Sequence, residues 1–168
     1  MNNKTKKILT ILSGTATAVI CIVMNFILIP KIESTTEGIR CFDMNFAYSF
    51  ETAQKFLSLL SDEGRRVYLN IQLPLDFIYP LMYCAFFILL LSYLTGKKAI
   101  FALPCVLALC DYTENILSII MLKSASLTRS PVLFASCITS VKTVLMYLTF
   151  LVLIVLVVKK IIQRKKAV

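Results

Sequence analysis

The chain has 168 residues, 58% of them hydrophobic and 16% charged, with a net charge of +9. That is more apolar surface than a soluble domain of this length can bury. There is no His, which excludes haem or metal ligation by imidazole and any Ser-His or Cys-His nucleophile.

Four apolar stretches carry the composition: residues 8–29, 73–94, 99–122 and 132–158. Each reaches the roughly 20 residues that a helix needs to cross the hydrocarbon core. They predict an all-α polytopic membrane protein, with residues 1–168 as a single membrane domain. The first stretch reads as an uncleaved anchor. Ala16-Thr17-Ala18 looks like a cleavage site, but the apolar run continues to Ile29, and Ile20 stands before Cys21 where a lipoprotein signal wants a small residue. Gly14 and Ala18, beside Ser13 and Thr17, predict a close-packing face on this helix, which should end at Pro30.

Residues 31–72 form the only sizeable soluble portion, too short for a core of their own. Ser49 is placed to cap a helix with Glu51 in its first turn, and Ala53, Phe56, Leu57 and Leu60 recur at helical spacing. A second short helix is expected from Ser61 or Asp62 through Arg65, Arg66 and Tyr68 into the second stretch. These two would form an amphipathic cap over the outer mouth, or else an interfacial anchor. The later connections are short, a tight hairpin at Gly96-Lys97-Lys98 and the segment 123–131. Short connections imply antiparallel neighbours and hence an antiparallel four-transmembrane-helix bundle.

Lys4, Lys6 and Lys7, then Lys97 and Lys98, then Lys159, Lys160, Arg164, Lys165 and Lys166 occupy three regions without an Asp or Glu. With four spans these regions share one side, which the positive-inside rule makes cytoplasmic, termini included. The charge is then topological. No nucleic-acid partner is expected, and attraction of the tail to anionic membrane lipid would be unspecific. Of six Cys, five lie in the apolar stretches and none forms Cys-x-x-Cys. This argues against a four-helix thiol-oxidising enzyme and for cysteines as small packing residues. No metal or other cofactor is implied.

The residues that carry chemistry are ionisable groups inside the apolar stretches, which cost roughly 2.5–3.5 kcal/mol each on insertion scales. Asp111, Glu114 and Asn115 share one helical face with Ala108 and Ser118. Asp76, Tyr79 and Tyr83 share another, and Pro80 frees a carbonyl beside it. Lys142 shares a face with Thr139 and Thr149. At 1.5 Å per residue, Asp111 and Lys142 both lie about 16 Å from the outer ends of their helices, Glu114 about 12 Å and Asp76 about 5 Å. Lys142 is therefore level with the acidic pair, whereas Asp76 reads as a helix-end residue hydrated from outside. Two carboxylates one turn apart disfavour double ionisation, so one of Asp111 and Glu114 should hold a proton, with Tyr79, Tyr83, Tyr112 and Asn115 as hydrogen-bond partners.

Three readings follow. In the first, an outward-opening cavity lined by Asp76, Tyr79, Tyr83, Asp111, Glu114, Asn115 and Lys142 binds or processes a lipid-like or amphiphilic small molecule. Glu114 or Asp111 would then be the proton donor or acceptor and Lys142 its electrostatic partner. The second is proton-coupled transport by a homo-oligomer, because four spans leave little room for a pore. The third is an accessory subunit whose buried charges only fix helix packing.

Phe42-Asp43-Met44, Glu63-Gly64-Arg65-Arg66 with Tyr68, Asp76-Phe77-x-Tyr79-Pro80-x-x-Tyr83 and Asp111-x-x-Glu114-Asn115 together resemble a family of small bacterial four-span membrane proteins without established activity. The resemblance spans about residues 41–142. It implies a bacterial cytoplasmic membrane and an outer loop that works with the buried acids. A more distant, architectural likeness is to the sterol-isomerase and sigma-2-receptor superfamily, whose isomerase His this chain lacks. Lys165-Lys166-Ala167-Val168 would read as a dilysine retrieval signal in a eukaryote and as an ordinary basic tail in a bacterium.

Overall fold

The structure is a computed structural model that describes residues 3–95 and 98–165. These residues are mostly helical, and no strand occurs among them. Four helices are long and apolar enough to cross a membrane: Lys4–Glu33, Asp62–Thr95, Ala102–Lys123 and Arg129–Gln163.

The first does not end at Pro30. Helix α1 (Asn3–Val23) passes through a π turn (Met24–Leu28) into α2 (Ile29–Glu33). Proline lacks an N–H, and its ring collides with the carbonyl four residues back. Here the turn just before it is widened, with the Ile29 N–H reaching back to Met24 O. Pro30 then falls in the first turn of α2, where a missing donor is tolerated. The chain turns away from α2 through Glu37 (φ 54°) and Gly38 (φ 79°).

The connection that follows holds a 3-10 turn (Phe42–Met44), α3 (Phe50–Leu59) and α4 (Asp62–Val67). Ser49 Oγ accepts the Thr52 N–H at 3.1 Å and Ser61 Oγ accepts the Gly64 N–H at 3.0 Å. Each cap thus satisfies a donor that the helix start leaves orphaned. A second π turn (Tyr68–Gln72) leads from α4 into α5 (Leu73–Thr95) without a break.

The connection shares a core with the long helices. The rings of Phe42 and Phe56 lie 4.9 Å apart and those of Phe56 and Tyr68 6.3 Å apart. Around them pack Ile32, Met121, Leu122, Val132 and Ala135. Polar ties reinforce the seat. Ser136 Oγ accepts the Tyr48 N–H at 2.8 Å, and Ser140 Oγ donates to the Phe46 carbonyl at 2.8 Å. Arg65 donates to the Leu122 carbonyl, and Arg129 pairs with Glu51 at 2.9 Å.

A 3-10 turn (Lys98–Phe101) opens α6 (Ala102–Lys123), and α7 (Arg129–Lys165) closes the described chain. Gly96 and Lys97 of the expected hairpin lie outside the described residues. Helix α7 is longer than the apolar run 132–158 because no Gly or Pro follows Pro131, so nothing in the basic stretch breaks it.

Helix α1 packs on α5, α5 on α6 and α6 on α7. A second apolar cluster of Tyr83, Phe87, Leu91, Leu107, Ala108 and Leu153 lies further along α5, α6 and α7 from the connection. Gly14 marks the closest approach of α1 to α5: a Cβ there would stand 2.9 Å from Phe86 Cε2. Gly14→Val should therefore cost about 1–3 kcal/mol by overpacking, seen as a lower melting temperature in detergent. Adding Phe86→Ala should recover most of that loss; no recovery would mean that the glycine is not needed for this contact.

Candidate functional site

The polar residues on α5, α6 and α7 sit between the two apolar clusters. On α6, Asp111, Glu114, Asn115 and Ser118 are all buried on one face, with Glu114 only 1% exposed. On α7, Lys142 faces them. Its Nζ lies 3.1 Å from Asp111 Oδ1 and also contacts Glu114 Oε2. One ammonium thus bridges two carboxylates one helical turn apart.

The remaining oxygens are occupied too. Tyr83 on α5 donates its hydroxyl to Asp111 Oδ2 at 3.0 Å. Thr139 Oγ lies within hydrogen-bond reach of Glu114 Oε1 and of the Ala135 carbonyl. Buried charges are tolerable only when their lone pairs are satisfied in this way.

Pro80 explains the placement of Asn115. A proline at position 80 leaves the carbonyl four residues back, that of Asp76, without its helical donor. Asn115 Nδ2 supplies that donor at 2.8 Å. The amide thus repairs the backbone of a neighbouring helix rather than serving the acidic pair.

Asp76 does not stand at the helix end that its position in the apolar run implies. It is 6% exposed. The helix carrying it starts at Asp62, which places Asp76 about 21 Å along that helix. Tyr112 also departs from expectation, because its ring stacks on Phe77 at 5.9 Å instead of joining the acids. Thr149 donates to its own helix, at the Leu145 carbonyl.

A cavity of about 280 Å³ joins Asp76, Tyr79, Asp111 and Lys142 to Asp43, which comes from the 3-10 turn of the connection. Met24 and Asn25 in the π turn after α1 and Met146 and Tyr147 on α7 form its walls. Asn25 and Tyr147 are exposed, so the cavity reaches the surface between α1 and α7. Tyr79 contributes its ring edge to that of Tyr83, with centroids 5.1 Å apart. Among the described residues neither Asp43 nor Asp76 has an ion-pair partner within 4 Å.

Three participants escaped the sequence reading as site residues: Asp43, Tyr48 and Thr139. Thr139 had a signal, one turn from Lys142 on the same face. Asp43 stands between Phe42 and Met44, apolar neighbours that can draw an acid into a core. Burial pushes its carboxyl above the ordinary range, against the opposing pull of Lys142. Burial, then the Glu114 charge, pushes the Tyr48 phenol up as well, and its hydroxyl is buried without a hydrogen-bond partner among the described residues. No three His, Cys, Asp or Glu side chains among the described residues converge as metal ligands.

No protein-family model, curated protein or solved structure matches the chain.

Two outcomes test this geometry. Asn115→Leu should cost about 1–3 kcal/mol by stranding a buried carbonyl. In the Pro80→Ala background the same change should cost clearly less, because the helix then supplies its own donor; equal losses in a thermal double-mutant cycle would refute the repair. The second concerns Asp43. An acid whose folded pKa is raised weakens the fold once pH exceeds the ordinary carboxylate value of about 3.9. Asp43→Asn should therefore raise the melting temperature at pH 8, and the gain should shrink as pH falls toward 4.

Proposed function

We propose that the chain is an integral membrane protein that binds or processes a lipid-like amphiphile with a cationic head group, in the cavity beside Lys142. The carrying observation is a charge imbalance. Four carboxylates, Asp43, Asp76, Asp111 and Glu114, surround one ammonium, and Asp43 and Asp76 face the same cavity without a cation of their own. An amine would relieve their repulsion, and the opening between α1 and α7 gives a chain-bearing molecule a route from the lipid. In a catalytic version, Glu114 or Asp111 exchanges the proton and Lys142 holds its charge.

The architecture proposed with it is an antiparallel four-helix bundle. Gly14 meets Phe86 while Lys6 and Lys7 share a groove with Tyr93. Tyr83 meets Asp111 while the Asp76 carbonyl meets Asn115, and Asp111 meets Lys142 while Glu114 meets Thr139. In each set, positions rise on one helix as they fall on its neighbour. The connection then caps the outer mouth, and the Lys-rich regions place both termini in the cytoplasm. Membership of the small bacterial four-span family, and residence in a bacterial cytoplasmic membrane, belong to the same proposal.

A structural role for the charges is the competing reading, favoured by the full set of partners on Asp111 and Glu114. Lys142→Met alone should cost about 3–5 kcal/mol under either reading, because it strands buried charge. Asp43→Asn and Asp76→Asn separate the two. The protein would first be examined by native mass spectrometry with lipid extraction, then titrated with dodecylamine and dodecanol. Dodecylamine should bind the wild type, and each variant, still folded, should weaken it about tenfold, equivalent to about 1.4 kcal/mol. Equal binding of amine and alcohol, or no effect of either variant, would leave only the structural role.

A further inference from the structure

A larger cavity lies at the opposite, basic end of the helices. It measures about 530 Å³, against about 280 Å³ for the acidic one. Lys6, Lys7, Thr10 and Ile11 of α1 line one side, and Leu89, Leu90 and Tyr93 of α5 line the other. The two lysines are exposed at the rim, and the leucines form an apolar wall that runs into the span. A second groove, of about 250 Å³, shares Leu90 and Tyr93 and continues past Val157, Lys160 and Ile161 of α7. There Lys160 Nζ sits 3.5 Å from the Tyr93 ring centroid and donates to the Tyr93 carbonyl at 2.7 Å. Two apolar grooves therefore flank one tyrosine, each with lysine at its rim.

The charge around this place has no internal counterweight. All nine Asp and Glu residues fall at positions 33 to 76 or at 111 and 114. None lies in residues 1–32, 77–110 or 115–168, the stretches that build this end. No Asp or Glu of these stretches supplies an anion to the site. The rim-and-wall arrangement fits an anion attached to hydrocarbon, and basic pockets between helices at this membrane level suit phospholipid head groups. The paired grooves match two acyl chains better than a single-chain or soluble anion.

We propose that this site holds one anionic phospholipid, with its phosphodiester between the Lys6–Lys7 pair and Lys160 and one acyl chain along each groove. The site is distinct from the acidic cavity in position, in sign of charge and in ligand. Lys6 and Lys7 bind the phosphate oxygens as point charges. Tyr93 separates the chains, and Leu89 and Leu90 form the wall against which one chain packs.

The test uses the full chain in detergent, titrated with dioleoyl-phosphatidylglycerol or dioleoyl-phosphatidylcholine and followed by native mass spectrometry. One phosphatidylglycerol per chain should be retained at about tenfold lower concentration than phosphatidylcholine, as expected for two lysines near an anionic head group. Lys6→Gln with Lys7→Gln should abolish that preference. Lys159→Gln with Lys165→Gln removes the same charge outside the two grooves and should leave the preference intact. Leu90→Trp fills the shared wall and should reduce retention of phosphatidylglycerol while the melting temperature holds. An equal loss from both lysine pairs would show diffuse basic attraction, and a dimer at the groove would show a second copy as occupant; either overturns the proposal.

Discussion

An ammonium and two carboxylates removed from water must find one another, and that requirement sets the register of the helices. Lys142 reaches both Asp111 and Glu114 only when α6 and α7 lie side by side at one level. Tyr83 then draws α5 to the same point through Asp111. The apolar clusters on either side contribute burial, which has little direction of its own. The charges do not tolerate a slip, since each turn of it moves a partner about 5.4 Å away and leaves a bare charge in hydrocarbon. Position along the helices is thus specified by the polar layer, and adhesion is supplied by the apolar ones.

The acidic surplus around that layer works against the fold. Asp43 and Asp76 add negative charge where Lys142 is already shared by two acids. The Tyr68 hydroxyl lies 3.5 Å from Asp43 Oδ1, a neutral contact that does not balance the charge of the acid. Under the proposed binding of a cationic head group, an amine beside Asp43 and Asp76 would offset their repulsion, so the groups that weaken the free protein would strengthen the complex. Asp111 and Glu114 differ from these two acids in having Lys142, Tyr83 and Thr139 as partners.

Legibility in the sequence followed periodicity. The four spans, the shared face of Asp111, Glu114 and Asn115, and the level of Lys142 all come from regular helices, where rise and angle per residue are constants. Errors came where regularity ended. Pro30 looks like a stop because a local rule does not show the widened turn that receives it. The apolar run makes Asp76 look like a helix-end residue, while the helix begins at polar Asp62. Asp43 entered the cavity through a 3-10 turn in an irregular connection, where side-chain direction has no period. Tyr112 found Phe77 because an aromatic neighbour on the adjacent helix competed for it. The carbonyl freed by Pro80 was foreseeable; Asn115 as its partner needed two helices in place.

Two of the long helices carry a π turn, at Met24–Leu28 and at Tyr68–Gln72. Such a turn holds one residue more than the α ladder around it. The extra residue rotates everything beyond it by about 100°. It therefore decides how Ile32, in the core near the connection, is aligned with Gly14 against Phe86. It decides likewise how Tyr68 in that core is aligned with Asp76 and Tyr83 in the charged layer. Met24, Leu28, Tyr68 and Gln72 within the turns are buried, so both their side chains and the residue count across them are constrained. Loss of a single residue at either turn would leave that helix apolar, yet turn Gly14 in the first helix, or Asp76 and Tyr83 in the second, out of phase with the core near the connection.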